Sequence, residues 1–138
     1  MKRRNTIYII ITLILLISAF AAYNYLISIY EVVYKVAPEE LYADGRSEVT
    51  ITVVPLNALG RKALFRKTRA VYQITEGKEL IEIVLNDESK GVLKLRAKDE
   101  TGIVKIIAKS PYALLPSPIY IDIYPNLVEV KHEVNGII

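Results

Sequence analysis

The chain has 138 residues, room for one modest domain and an appendage. Its net charge of +3 is placed at one end: Lys2, Arg3 and Arg4 precede the first apolar run without an acid, and from Glu31 onward the two signs balance. That balance argues against nucleic acid as a partner, which needs a basic face on the folded domain. With no cysteine, one histidine and no tryptophan, disulfides, thiol catalysis and thiolate metal sites are excluded, and histidine chemistry has almost nothing to draw on.

The first predicted element is a membrane helix. Asn5 to Tyr30 is an uncharged run of 26 residues, and residues 6–30 follow a basic tip at 1–5. As a helix the run is about 39 Å long at ~1.5 Å per residue, against a bilayer core of ~30 Å. Eight Ile and four Leu lie between Ile7 and Ile29. At roughly −0.5 kcal/mol each they contribute about −6 kcal/mol to insertion, which outweighs one Asn. Ala19-Phe20-Ala21 also fits a signal-peptide cleavage site. The apolar character resumes through Leu26, Ile27 and Ile29, however, so a retained anchor is expected. The basic tip then places the N-terminus in the cytoplasm and the rest outside, in a single pass. Ser18 and Ala22 form a small-xxx-small pair and Asn24 is polar at depth; all three are candidates for helix–helix packing. The plainer expectation is a monomeric anchor, with Asn24 near the outer interface among Tyr23, Tyr25 and Tyr30.

After a linker or short strand at 31–37 the period changes to two, the mark of strands with one buried face. Val49, Ile51 and Val53 alternate with Thr50 and Thr52. Leu93, Leu95 and Ala97 alternate with Lys94 and Arg96; Val104, Ile106 and Ala108 flank Lys105 and Ile107. Ile119, Ile121 and Ile123 alternate with Tyr120, Asp122 and Tyr124. Glu39 to Tyr42, Ala70 to Thr75 and Glu79 to Leu85 complete about seven strands. Turn signals separate them, at Ala43-Asp44-Gly45, Asn57 to Gly60, Glu76-Gly77, Asn86 to Gly91, Asp99 to Gly102 and the proline-rich Ser110 to Pro118. The expected fold is mainly β: a transmembrane helix, then an Ig-like β-sandwich over residues 38–125.

The stretch "LYADGRSEVTITV", then "NALGRKA", then "NDESKGVLKLRAKDETGIVKIIAKS", resembles the bacterial Ig-like domains of the invasin and intimin family. Those carry a leader L-x-A-D-G-x-S-x-x-T-I-T-V and a turn N-x-x-G; the leader is the specific part. The tail departs, since a Lys-bearing loop replaces a short D-x-x-G turn and Ala97 stands where the family often has a small polar residue. The resemblance implies the sandwich fold and leaves open whether the module is structural or adhesion-like.

Candidate sites are few. Arg61, Lys62, Arg66, Lys67 and Arg69 surround Leu64 and Phe65. They form either a solvated loop capping the sandwich or a contact with an acidic partner or anionic lipid headgroups. Tyr112 stands in a rigid Pro-rich segment, which either protects a sheet edge or meets a protein partner. Asp87-Glu88 and Asp99-Glu100 lack calcium-loop spacing and read as turn residues; His132 reads as exposed. The tail, 126–138, is either disordered or a further strand with Val128, Val130 and Val134 on one face, a candidate for pairing within the chain or by strand addition to a neighbour. Neither a catalytic constellation nor a phosphate-cradling loop is present, so no enzyme activity, cofactor or small-molecule substrate is expected. Two functions stay open: a membrane-anchored structural or binding subunit, whose partners are the lipid bilayer and a protein, and a pilin-like filament subunit in which Arg3-Arg4 ends a leader and the helix packs in the filament core.

Overall fold

The structure, a computed structural model, describes residues 2–126. The chain forms two compact units. One holds the N-terminal helix up to Glu31 together with Pro55–Arg66; the other holds Val32–Val54 and the described residues from Lys67 onward. Val128, Val130, Val134 and His132 lie outside the described residues.

Among the described residues there are eight strands, all in the second unit apart from Glu31 and the last two residues of β3: β1 (Glu31–Ala37), β2 (Leu41–Tyr42), β3 (Glu48–Leu56), β4 (Val71–Glu76), β5 (Ile81–Asp87), β6 (Val92–Ala97), β7 (Gly102–Lys109) and β8 (Ser117–Tyr124). They form two sheets, ordered β1-β3-β6-β5 and β2-β8-β7-β4. In the lettering of the immunoglobulin fold this is A-B-E-D against C-F-G, with a two-residue strand added parallel to G. The fold is mainly β, an Ig-like sandwich preceded in the chain by one long apolar helix.

The period-two patterns set the core. Val49, Ile51 and Val53 of β3, Leu93, Leu95 and Ala97 of β6, Val104, Ile106 and Ala108 of β7 and Ile119, Ile121 and Ile123 of β8 all face inward. Their alternates carry the polar load. Arg96 lies in register with Glu48 on one side and Glu82 on the other. Its Nη2 is 2.8 Å from Glu48, its Nη1 is 3.8 Å from Glu82, and Lys94 Nζ is 3.2 Å from Glu48. Opposite charges directly across strands favour this register over its one-residue slips.

The linker at 31–37 is a full strand at the edge of the first sheet. Val32, Tyr34 and Val36 pack against the core, and the Tyr34 ring meets Tyr72 edge-on with centroids 5.9 Å apart. Tyr72 donates its hydroxyl to the Gly91 carbonyl at 2.7 Å, and burial pushes its phenol well up from the usual value. Gly91 holds φ +66°, and a Cβ there would collide with the Val53 side chain, so only glycine fits the turn into β6. Of the remaining edges, β5 and β4 each carry a register shift, at Ile83/Leu85 and Ile74/Glu76. Such bulges blunt an edge against pairing with other chains.

The A-D-G-x-S stretch ties the two sheets together. Ala43 N–H donates to Tyr124 of β8 at 2.9 Å, while Ala97 N–H, at the end of β6, donates to the Ser47 carbonyl at 2.9 Å. Between them Asp44 gathers three donors: the N–H groups of Arg46 (2.8 Å) and Ser47 (2.6 Å) on one oxygen and the Ser47 hydroxyl (2.8 Å) on the other. Gly45, at φ +71°, lets the loop close. The Ser47 and Arg46 amides hold the Asp44 carboxyl below its usual value of 3.8. A depressed folded-state pKa contributes stability that is complete above the unfolded value and lost as pH falls through the folded one. Glu48, held down by Arg96, and Asp87, held down by the Ser89 hydroxyl, share that sign. Acid titration of the intact chain should therefore show a loss of stability below about pH 4 that is shallower in Asp44→Asn. Identical acid limbs for variant and parent would show that the loop does not depend on the charge.

Candidate functional site

The first unit places a short loop on the end of the apolar helix. The α-helix α1 runs Lys2–Ala22 and widens into a π turn, Tyr23–Ile27. By length and composition it is able to cross a membrane. Three of its polar side chains bond back to its own backbone: the Thr6 and Thr12 hydroxyls donate to the Lys2 and Tyr8 carbonyls, and the Asn24 amide donates to Phe20 at 3.1 Å. Ser28 N–H closes the π turn on the Tyr23 carbonyl at 2.9 Å.

A helix end leaves carbonyls without intrahelical partners. Here the loop Pro55–Arg66 supplies donors. Leu64 N–H donates to the Leu26 carbonyl at 3.1 Å, and the Asn57 side-chain amide reaches the same oxygen at 3.2 Å. Tyr30 N–H donates in turn to the Leu56 carbonyl at 2.8 Å. Asn57 is 2% exposed, and every polar group it carries is used. Its Oδ1 accepts from Leu59 N–H (3.0 Å) and Arg61 N–H (3.1 Å), its own N–H donates to the Arg61 carbonyl (2.7 Å), and its carbonyl accepts from Gly60 (3.0 Å). One residue thus closes the N-x-x-G turn and fastens it to the helix 31 positions earlier.

The sequence candidates are distributed as follows. Arg61, Lys62 and Arg66 belong to the helix-end loop, with Leu59, Leu64 and Phe65 exposed among them. Lys67 and Arg69 belong to the sandwich unit, so the run of five basic residues is divided between the two units. Phe65 is the sole non-glycine residue at positive φ among the described residues, at 58°, and is 95% exposed. Ser18 and Ala22 lie one turn apart on one face of α1. Asn24, two positions on at about 100° per residue, falls well off that face. Tyr112 sits in the β7–β8 loop, where its N–H approaches the Ser110 hydroxyl at 3.5 Å. The most exposed apolar pair of the sandwich, Leu114 and Leu115, lies in that same loop and was not among the candidates. An uncharged L-L between prolines was the available signal. Asp87 serves its own turn, accepting from the Ser89 hydroxyl at 2.6 Å and Lys90 N–H at 3.2 Å.

No protein-family model matches the chain, and no curated protein matches it in sequence. Solved structures do. The chain is similar to part of a β-glucuronidase of glycoside hydrolase family 2 (TM-score 0.55, 20% identity, covering 71% of this chain and 12% of that one). It is similar to part of a glycosyl hydrolase family 2 member from Bacteroides cellulosilyticus (TM-score 0.53, 20% identity, 70% of this chain and 14% of that one). The adhesin InvE of Yersinia pseudotuberculosis, of the invasin/intimin type that the A-D-G-x-S leader resembles, also matches (TM-score 0.44, 15% identity, 68% of this chain and 26% of that one). The chain spans about an eighth to a quarter of these proteins, and at such identities the likeness is one of fold. The chemistry of the two hydrolases is a property of proteins several times longer.

Proposed function

We propose that the chain is a non-enzymatic, membrane-anchored Ig-like module: a single helix crosses the cell membrane with its basic end in the cytoplasm, and the sandwich is held outside as a structural or binding element. The observation that carries this is the fastening of the Pro55–Arg66 loop to the π turn that ends the apolar helix, through Asn57 and Leu64. A signal peptide destined for removal has no use for a buried side chain, far along the chain, that caps its final turn. The adhesin-like fold neighbours support a surface binding or structural role; the partner is a protein of a membrane complex or surface structure, and neither a cofactor nor a nucleic acid is involved.

The absence of cysteine makes the topology directly testable. Lys98→Cys, exposed near the end of β6, should react with a membrane-impermeant maleimide on intact cells. Lys2→Cys should react only after permeabilisation. The reverse pattern sinks the orientation, and release of an unanchored, shortened chain sinks the anchor.

A further inference from the structure

We propose that the helix-end loop is a bilayer contact: Phe65, Leu64 and Leu59 enter the outer interfacial layer while Arg61 and Lys62 bind the phosphates of anionic lipid headgroups. This rests on the anchor reading above and adds a second membrane attachment to it. The argument begins with depth. From Thr6 to Leu26 an α-helical rise of ~1.5 Å per residue covers about 30 Å, the thickness of the hydrocarbon core. Leu26, in the π turn that continues α1, therefore stands at the outer boundary of a spanning helix. The exposed Tyr23, Tyr25 and Tyr30 fall on either side of it, as interfacial aromatics do.

The loop shares that level because it is bonded to it. Leu64 N–H and the Asn57 amide both donate to the Leu26 carbonyl, so the backbone of residue 64 is within one hydrogen bond of the boundary. Leu59, Leu64 and Phe65 expose apolar surface beside Arg61 and Lys62, whose side chains are also exposed. In water such a cluster is unfavourable; at an interface, apolar groups immersed in the acyl boundary and cations among the phosphates are both satisfied. Phe65 supplies the second observation. A bulky residue in the left-handed region is disfavoured, and here it presents a nearly fully exposed ring. The geometry lifts the ring off the protein, which is what an interfacial anchor requires.

The chain contains no tryptophan, so single substitutions report on one place each. Full-length chain carrying Phe65→Trp, Tyr25→Trp or Tyr120→Trp is reconstituted into vesicles of phosphatidylcholine with phosphatidylglycerol, some of whose lipids are brominated on the upper acyl chain. The probe at 25 reports the anchor, and the one at 120, on the outer face of β8, reports solvent. The expected result is blue-shifted emission and loss of most of the intensity at both 25 and 65, with 120 unquenched. Adding Arg61→Glu with Lys62→Glu, or omitting phosphatidylglycerol, should return much of the intensity at 65 without changing 25. Quenching at 25 with none at 65 overturns the contact and leaves the anchor standing. No quenching at either overturns both. Equal quenching at 65 and 120 overturns a contact specific to this loop, and indifference at 65 to both the Glu pair and the lipid charge overturns the headgroup role of Arg61 and Lys62.

Discussion

Ile106→Asp should abolish cooperative folding of the sandwich while the chain stays in the membrane fraction. Ile106 is wholly buried near the middle of β7, the strand flanked by β8 and β4. It lies in register with Ile119 on one side and Ile74 on the other. The substitution removes buried methylenes and leaves a charge with no partner, together more than ~4 kcal/mol, against a total of ~5–15 kcal/mol for a small domain. An Asp at that site resists ionisation, so the defect should be smaller in mild acid than at neutral pH. Ile103→Asn, on the exposed side of the same strand, should cost under ~1 kcal/mol. The comparison is made on the full chain in detergent, following loss of the β signal and the rate of tryptic digestion. An Ile106→Asp chain that melts cooperatively at the parent temperature would show that this side chain is not core.

The buried face of the sandwich was legible because its strands alternate cleanly. Thr50 and Thr52 between Val49, Ile51 and Val53 leave no choice of face, and each inward residue named from β3, β6, β7 and β8 is in the core. β1 was obscured by Val32 and Val33 in succession, which breaks the alternation although only Val32 packs inward. β5 shows the opposite failure. Ile83, Val84 and Leu85 read as a strand, and they form one, yet all three are exposed because the strand is a bulged edge. Edge position is a property of topology, which no local pattern carries. The helix-end loop was legible only in part. Asn57 and Gly60 announced a turn, but a hydrogen bond to Leu26 joins segments whose sequence patterns are unrelated. The charge run at 61–69 was visible as composition, and its division between two units was not.

Asn57 offers the sharper test of that division, through two substitutions that act on different atoms. Asn57→Ala removes the acceptor of Leu59 and Arg61 N–H and the side-chain donor to Leu26, all at a buried position. Groups left unpaired cost ~1–3 kcal/mol each, and since the loop tip can recruit some water, about 2–3 kcal/mol in all is expected. If the loop opens locally, the Leu64 amide, bonded to Leu26, should exchange its hydrogen about 30 to 150 times faster, at tenfold per ~1.4 kcal/mol. The Ile106 amide, deep in the other unit, should keep its rate. Asn57→Asp retains the acceptor but turns the second oxygen toward the Leu26 carbonyl, where no proton intervenes once the acid ionises. The Leu59 and Arg61 amides on Oδ1 favour the ionised form, but burial and the facing Leu26 carbonyl oppose it more strongly, so the pKa in the folded loop is raised above the unfolded ~3.9, and loop stability is greatest in acid and declines as pH climbs from that value to the raised one. The Asp chain should therefore protect Leu64 better in acid than at neutral pH, while the Ala chain shows no such trend. Protection of Leu64 at the parent level in the Ala chain would mean that Leu64 holds the helix end without Asn57. Equal acceleration at Leu64 and Ile106 would mean that the loop and the sandwich open as one body, and the turn would then be a keystone of the whole fold instead of a clasp on the helix.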